Sequence, residues 1–374
     1  MLQHAAEPRT LRLPRDVKTL SLIDVTSEIT GLDAFDGHEQ IWLGRDMVRG
    51  LTAIVAIHNT ALGPALGGTR LWPYDTFKGA LTDALRLSRG MTYKAAVVGV
   101  PFGGGKSVIV AEPKLGKTPA LLEAYADMLS VLEGQFYTGE DVGFTVADAD
   151  FLRARTPNVT GTTIGGSGNP APMTAHGVFL GIKAALAHRN GSERVAGIRV
   201  ALQGLGAVGW LLCRQLHSEG AILTVSDIDK SKVAKARDHF GAKAVGPDAI
   251  IQTDADIFVP CALGNVLNEA TIPILNATIV AGSANNQLAT HDCAKLLRQR
   301  GVLYAPDYVI NAGGMINVAA ELAPGGYDRD TATAQISKIP ATLTSIFHRS
   351  DAENLPTNDI AAAIALERIK RAKH

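Results

Sequence analysis

The chain has little that would tie it to a disulfide scaffold, a membrane or a polyanion. Only three of its 374 residues are cysteines, Cys213, Cys261 and Cys293. An odd number without CxxC spacing excludes a disulfide framework or a cysteine zinc site and fits a reducing compartment. Lys+Arg and Asp+Glu number 36 each, so the formal net charge is zero and no global positive field draws the chain to nucleic acid or an anionic membrane. Aromatics are only 5%, and no basic patch interleaved with them supports nucleic-acid binding. No apolar run approaches the roughly 18 residues of a membrane span. His58 and His176 lack partners at metal-ligand spacing and read as structural, so no metal is expected. What remains is an ordinary globular mixture, 46% hydrophobic, long enough for two domains with a core each. These readings predict a soluble, cytoplasmic protein.

Residues 1–20 carry Arg9, Arg12, Arg15 and Lys18 but few large apolar groups; Glu7 and Asp16 argue against a targeting presequence, leaving a loose N-terminal arm. Leu51–Ile57 reads as a strand. Ala80, Leu81, Ala84 and Leu85 recur at helical spacing within 78–89. A short apolar run at 95–100, a strand-like stretch at 107–110 and a helix at 118–133 follow. Gly, Ser and Pro crowd residues 161–172, as at a domain boundary. Beyond it, strand candidates at 199–203, 221–226, 243–245, 256–259, 278–282 and 302–304 alternate with helical stretches. That rhythm predicts a parallel, doubly wound α/β sheet. The expected domains are 21–170, 171–338 and a helical tail, 339–374.

The strand Arg199–Gln203 runs into Gly204-Leu-Gly206-Ala207-Val208-Gly209, and a helix follows. This is GxGxxG in the context its chemistry needs. The first glycine permits the turn, the second lets backbone approach a pyrophosphate, and the third lets helix pack on strand. The second strand ends at Asp227, 23 residues beyond Gly204, where a carboxylate can hydrogen-bond the 2′-hydroxyl of NAD and repel the 2′-phosphate of NADP. Lys230 and Lys232 lie close enough in sequence to soften that repulsion.

Lys94 and Lys106 stand twelve residues apart beside apolar sequence, in Met91-Thr-Tyr-Lys94 and Gly103-Gly-Gly-Lys106. Burial together with a neighbouring cation would depress a lysine pKa and turn Lys106 into a base. The alternative is a phosphate loop. Gly105-Lys106-Ser107 is half of GxxxxGK[ST], but Val100 stands where the first glycine belongs. Spacing alone leaves both readings open.

Gly63-Pro-Ala-Leu66-Gly67-Gly68-Thr-Arg70, the segment 83–94 ending in MTYK, GGGK at 103–106 and Gly139-Glu-Asp141-Val142 resemble the dehydrogenases of glutamate, leucine, phenylalanine and valine. The likeness continues through QGLGAVG at 203–209, Pro260-Cys261-Ala262-Leu-Gly264, Ala284-Asn285-Asn286 and Asn311-Ala-Gly-Gly314, from about residue 35 to the end. It implies an N-terminal α/β substrate and oligomerisation domain, a Rossmann NAD domain, a cleft between them and a homo-oligomer. The activity implied is reversible NAD-dependent oxidative deamination of an L-amino acid to its 2-oxo acid and ammonium. Lys94 would bind the substrate carboxylate, Lys106 activate water, and Asp141 exchange protons with the amino group. Asn285 and Asn311 would hold the carboxylate and the nicotinamide amide. Thr174, Cys261 and Ala262 would adjoin the cofactor.

The same resemblance assigns the side-chain pocket to Leu66, Gly67, Gly68, Gly139, Met315 and Val318. Leu66 and Val318 stand where the glutamate branch uses a lysine and a serine, so an apolar substrate is expected and glutamate a poor one. Gly139 with Met315 resembles the phenylalanine branch, and Arg70-Leu-Trp72-Pro-Tyr74 resembles tryptophan-active relatives. Phenylalanine or tryptophan is therefore expected, with a leucine- or valine-sized pocket as the alternative. A non-catalytic NAD-binding protein is the alternative of another class, disfavoured because Lys106 and Asp141 are both present.

Overall fold

The computed structural model describes residues 19–373. Its internal contacts divide the chain into two units: residues 19–169 with Val318–Asp328 and 366–373, and Pro170–Asn317 with Arg329–Ala365. The N-terminal arm reading therefore falls, for residues 1–18, outside the described residues. Thr19 and Leu20 are already part of the fold, since the Thr19 hydroxyl donates to Asp46 and Leu20 is buried in the core.

In the first unit the chain forms β1 (Ser21–Asp24), β2 (Gln40–Asp46), β3 (Leu51–Asn59), β4 (Ala65–Leu66), β5 (Thr69–Trp72), α1 (Phe77–Val98), β6 (Gly103–Val110), α2 (Pro119–Val131), β7 (Phe136–Tyr137) and α3 (Val146–Arg153). The mixed sheet has the order β1-β2-β3-β6-β4-β7, and β5 pairs with the far part of β6. Neighbours along β1-β2-β3-β6 are antiparallel, whereas β4 and β5 run parallel to β6. Strand β3 is apolar throughout because both its faces are covered. Ala53, Val55 and Ile57 join one core with Leu121, Tyr125 and Leu129 of α2, while Ile54 and Ala56 meet Ala80, Ala84 and Leu85 of α1.

Two local expectations change here. The helix expected at 78–89 runs from Phe77 to Val98 and absorbs the apolar run, because Ser88, Thr92, Ala95 and Ala96 continue its buried stripe. Thr76 caps its start and Gly99, with φ near 73°, ends it. The strand expected from Ser107 begins at Gly103. The three glycines are strand residues, which removes the phosphate-loop reading.

The second unit holds α4 (Ala171–Asn190), β8 (Arg199–Gln203), α5 (Ala207–Ser218), β9 (Ile222–Ser226), α6 (Lys230–Phe240), β10 (Lys243–Ala244), β11 (Ile257–Pro260), β12 (Ile279–Val280), α7 (Asp292–Gln299), β13 (Leu303–Tyr304) and α8 (Asp307–Ile310). Next come α9 (Gly313–Ala319), α10 (Arg329–Ile336), α11 (Ile339–Glu353) and α12 (Thr357–Ala372), of which α9 and α12 carry the chain across the division. The sheet is all parallel in the order β10-β9-β8-β11-β12-β13. Its topological switch point falls between β8 and β11, where a dinucleotide binds in sheets of this order.

Of the helical tail expected at 339–374, only the part from Leu366 belongs to the first unit. Helix α11 stays with the second unit because Gly177 and Gly181 of α4 leave room for Ile339 and Leu343; a Cβ at either glycine would stand 2.9 Å from one of them. Arg368 of α12 closes the end of α1, donating to the carbonyls of Ala96 and Val97 at 2.8 and 2.7 Å.

Candidate active site

In the first unit the glycine-rich segments bring strands together at contact distance. A Cβ on Gly67 would lie 1.8 Å from the Gly105 carbonyl, and one on Gly68 2.6 Å from the Glu140 carbonyl and 3.0 Å from Asp141 Cβ. Gly104 lets α1 sit directly on β6, since its Cβ would meet Thr92 at 2.1 Å. These residues thus set the spacing between β6, which carries Lys106, and the turn that carries Asp141. Leu66 is buried beside them in β4, and Lys94, half-buried, follows Thr92 on α1.

Lys106 is only 5% exposed, and its Nζ donates to Asp141 Oδ2. Sequence reasoning asked for a cation beside this lysine; the structure puts a carboxylate on its Nζ. Asp141 is held by a tight turn in which its backbone exchanges hydrogen bonds with Phe144 at 3.2 and 3.0 Å. Gly143, at φ 76°, permits that turn and lies too close to the Leu71 carbonyl for any side chain. Burial would push Asp141 up, but the Lys106 ammonium and then the Arg70 guanidinium hold its carboxyl below the usual carboxylate range.

Arg70 and Asp83 received no role from the sequence. The Arg70 guanidinium donates from Nη1 to Asp83 Oδ2 at 2.8 Å, and its Nε stands 3.5 Å from Asp141 Oδ2. Tyr74 donates to the same Asp83 oxygen, which gives this tyrosine a structural task, while Trp72 stays half-exposed. Arg70 lies at the end of the GGTR segment, and that was the available signal.

Gly139 follows the strand β7 and is buried. A methyl there would lie 3.1 Å from Thr160 Oγ1 and 3.3 Å from its carbonyl oxygen. The methyl that Gly139 lacks therefore faces Thr160, a neighbour the sequence did not disclose. Val318 is half-buried, with Cγ1 3.9 Å from the position a Cβ on Gly161 would take.

The second unit carries the other group of residues. Gly204 has φ 97°, and a Cβ on it would meet Cys261 and Ala262 within 2.9 Å, so the β8 and β11 loops touch at the switch point. Gly209 must be bare for α5 to approach, its Cβ falling 1.9 Å from the Gly204 carbonyl. Gly206 differs: its φ of −69° suits any residue, and a Cβ would meet nothing within 4 Å. Internal packing accounts for two of the three glycines, and the free space over Gly206, at the start of α5 beside Ala207 and Val208, is a cradle that a pyrophosphate fits.

Asp227 Oδ2 accepts from the Leu205 amide at 2.6 Å and Oδ1 from the Asp229 amide at 2.8 Å. Each oxygen keeps a lone pair for a ribose hydroxyl. Asp229 caps α6, and Lys232 acts on Asp229. Asn311 Nδ2 donates to Asn285 Oδ1 at 2.7 Å, pairing the two asparagines. Gly314 leaves room for Thr174 Oγ1, 2.6 Å from a would-be Cβ, so α9 meets the start of α4 there. Met315, one residue on, is buried. Burial pushes the Cys261 thiol up, which disfavours a nucleophilic role. His58 is structural: its Nδ1 meets Thr92 Oγ1 at 2.9 Å and its Nε2 the Asp36 carbonyl at 3.1 Å.

Known proteins resemble this chain over nearly its whole length. The sequence model described as Glu/Leu/Phe/Val dehydrogenase, dimerisation domain, matches residues 40–158, and that of Glutamate/Leucine/Phenylalanine/Valine dehydrogenase matches 165–233 and 229–374. Leucine dehydrogenase of Geobacillus stearothermophilus is 48% identical over 341 residues, covering 91% of this chain and 92% of the relative. Phenylalanine dehydrogenase of Lysinibacillus sphaericus is 42% identical over 349 residues, covering 91% of both. The crystal structure of L-tryptophan dehydrogenase from Nostoc punctiforme superposes with a TM-score of 0.80 at 48% identity, over 90% of this chain and 97% of that one. No described helix is long and apolar enough to cross a membrane. With both units matched and relatives this similar end to end, the chain belongs to the Glu/Leu/Phe/Val dehydrogenase family and is an amino-acid dehydrogenase, an oxidoreductase acting on CH–NH₂ donors.

Proposed function

We propose that the protein oxidatively deaminates an L-amino acid with an apolar, aromatic side chain, using NAD. The observation that carries the reading is the buried Lys106–Asp141 pair. Lys94 holds the substrate carboxylate by charge. Asp141 takes a proton from the substrate ammonium, leaving the free amine. The nicotinamide, when bound, supplies the acceptor for the hydride on the substrate Cα. Lys106, without its proton, takes one from water, and the hydroxide adds to the iminium carbon. Asp141 returns its proton to the nitrogen of the carbinolamine. The C–N bond breaks, the hydroxyl proton leaves with nitrogen as ammonium, and the 2-oxo acid remains. Lys106 releases the water proton to solvent. Asn285 and Asn311 hold the substrate carboxylate and the nicotinamide amide, and Thr174 adjoins the nicotinamide. Gly204, Gly206, Ala207, Val208, Gly209, Cys261 and Ala262 line the pyrophosphate end. The enzyme works as a homo-oligomer in the cytoplasm.

NADH formation with twenty L-amino acids at alkaline pH tests this. Phenylalanine or tryptophan should give the highest kcat/KM and glutamate a negligible one; glutamate in first place overturns the reading. A leucine-sized pocket is the second reading, favoured by Thr160 occupying the space beside Gly139. The double variant Gly139→Ala with Met315→Val separates the two. If the flexible Met315 makes room for a ring, the ratio of phenylalanine to leucine should fall about tenfold, the scale of one or two methylenes. An unchanged ratio assigns the pocket to the second reading.

For the cofactor, Gly206→Val should leave the melting temperature unchanged and weaken dinucleotide binding at least tenfold, because the added carbons enter only the cradle. Asp227→Ser should lose NAD affinity and gain on NADP. Equal kcat/KM for both cofactors in the unmutated enzyme would remove Asp227 as the discriminating group.

A further inference from the structure

Arg70 stands behind the Lys106–Asp141 pair and is not idle there. Its Nη1 is tied to Asp83, which Tyr74 also holds. Its Nε is buried, has no hydrogen-bond acceptor, and faces Asp141 Oδ2 at 3.5 Å. That oxygen is the one that accepts from Lys106. Two cations thus face one carboxylate oxygen, and only one of them bonds it.

The chemistry makes this arrangement matter. To act as the base Lys106 must first give up its ammonium proton, and until Asp141 has taken the substrate's proton a neutral amine cannot hold its carboxylate as an ammonium does. The carboxylate then needs another donor or is left unpaired in a poorly solvated site, which is costly. A shift of a few tenths of an ångström would bring it onto the waiting Nε–H at hydrogen-bond distance.

We propose that Arg70 is a positioning residue of the reaction, the alternative partner that receives the Asp141 carboxylate when Lys106 releases it. Asp83 and Tyr74 fix the guanidinium so that Nε keeps its aim. The proposal rests on the roles given above to Lys106 and Asp141. Around Asp141 the charged groups are Lys106 from β6, Arg70 from β5 and Glu140 beside it in the chain; Asp83 of α1 and Tyr74 face Arg70. Burial and Asp141 raise the Glu140 carboxyl. A purely structural Arg70 would do no more than brace β5 against α1.

The test is kcat/KM against pH for deamination in Arg70→Gln, Arg70→Lys and Asp141→Asn, with Arg70→Ala assayed in the presence and absence of ethylguanidinium. Arg70→Gln should lose about tenfold to a hundredfold at the plateau, and the limb on which kcat/KM falls with acid should move upward by about one pH unit, because removing a cation beside the coupled Lys106–Asp141 pair favours its protonated form. Arg70→Lys, the variant least disturbing to the fold, keeps a cation but not the forked donor, so its limb should stay and its kcat fall at least tenfold. Ethylguanidinium should restore at least tenfold of the Arg70→Ala loss. An unmoved limb in Arg70→Gln, wild-type kcat in Arg70→Lys, or no rescue overturns the proposal. Where one of these three results comes with an inactive Asp141→Asn, the Arg70 proposal falls and the roles of Lys106 and Asp141 stand. An active Asp141→Asn overturns the assignment of Asp141 itself, and Arg70 with it.

Discussion

Lys106→Ala should lower kcat for deamination by about 10²–10⁴-fold, the usual yield of a positioned acid or base, with little change in dinucleotide affinity. Lys106 lies on β6 of the first unit, whereas the GxGxxG turn belongs to the second. Asp141→Asn should be as inactive, for loss of the proton carrier. The two variants should differ in stability, however. Asp141→Asn leaves the ammonium of a lysine whose side chain is 7% exposed without its counter-charge, at a cost of about 3–5 kcal/mol. Lys106→Ala leaves Asp141, 22% exposed, beside Arg70. Chemical denaturation should therefore find Asp141→Asn the less stable of the pair. A turnover within threefold of the unmutated enzyme in either variant would remove that residue from the mechanism; equal stabilities would mean that the buried ammonium finds another partner.

A second large effect is expected on acidification, through histidines distant in sequence from the chemistry. His38 and His58 are buried edge to face, 4.7 Å between centroids, and their hydrogen bonds define both tautomers. The Asp36 amide donates to His38 Nδ1, so the proton sits on Nε2, toward the Leu85 carbonyl and Ser88. The Asp36 carbonyl accepts from His58 Nε2, leaving Nδ1 for the Thr92 hydroxyl. Both rings are neutral in this hydrogen-bonding arrangement. Burial, reinforced by His38, pulls His58 from 6.5 down to about 4, against the opposing pull of Asp36; burial also lowers His38. A depressed basic group binds its proton more readily unfolded than folded. Its contribution is complete above about pH 6.5 and is lost as pH falls toward 4. For His58 this is on the order of 3 kcal/mol. Denaturation midpoints between pH 7.5 and 4.5, at fixed protein concentration, should drop steeply in the unmutated protein and more gently in His58→Gln. Parallel curves would assign the acid sensitivity elsewhere. Because Thr92 seats directly on Gly104, acid should disturb the neighbourhood of Lys106 as the histidines charge.

What the sequence determined by itself was whatever rests on local pattern. The GxGxxG turn between Gln203 and Ala207, the acid at the end of β9, the rhythm of parallel strands and the two lysines beside apolar sequence are short-range features. Each has a physical requirement that few residue types meet: a positive φ at Gly204, an uncluttered Gly206, a carboxylate one strand away at Asp227. The resemblance carried by those motifs supplied the family and the class of reaction.

Tertiary structure decided what depends on neighbours distant in the chain. That Lys106 faces a carboxylate, that Arg70 waits 3.5 Å behind it, and that the methyl missing from Gly139 would press on Thr160 all involve residues between 21 and 71 positions apart. Sequence spacing says nothing about such pairs, because β4, β5 and β6 are brought side by side only when the sheet forms. The same holds for the reach of α1, where the buried stripe through Thr92 and Ala96 extends the helix because β6 offers Gly104 as a seat. Electrostatics followed the same rule. A lysine beside glycines is ambiguous as text, and its chemistry was fixed only when the fold chose which charge would stand against it.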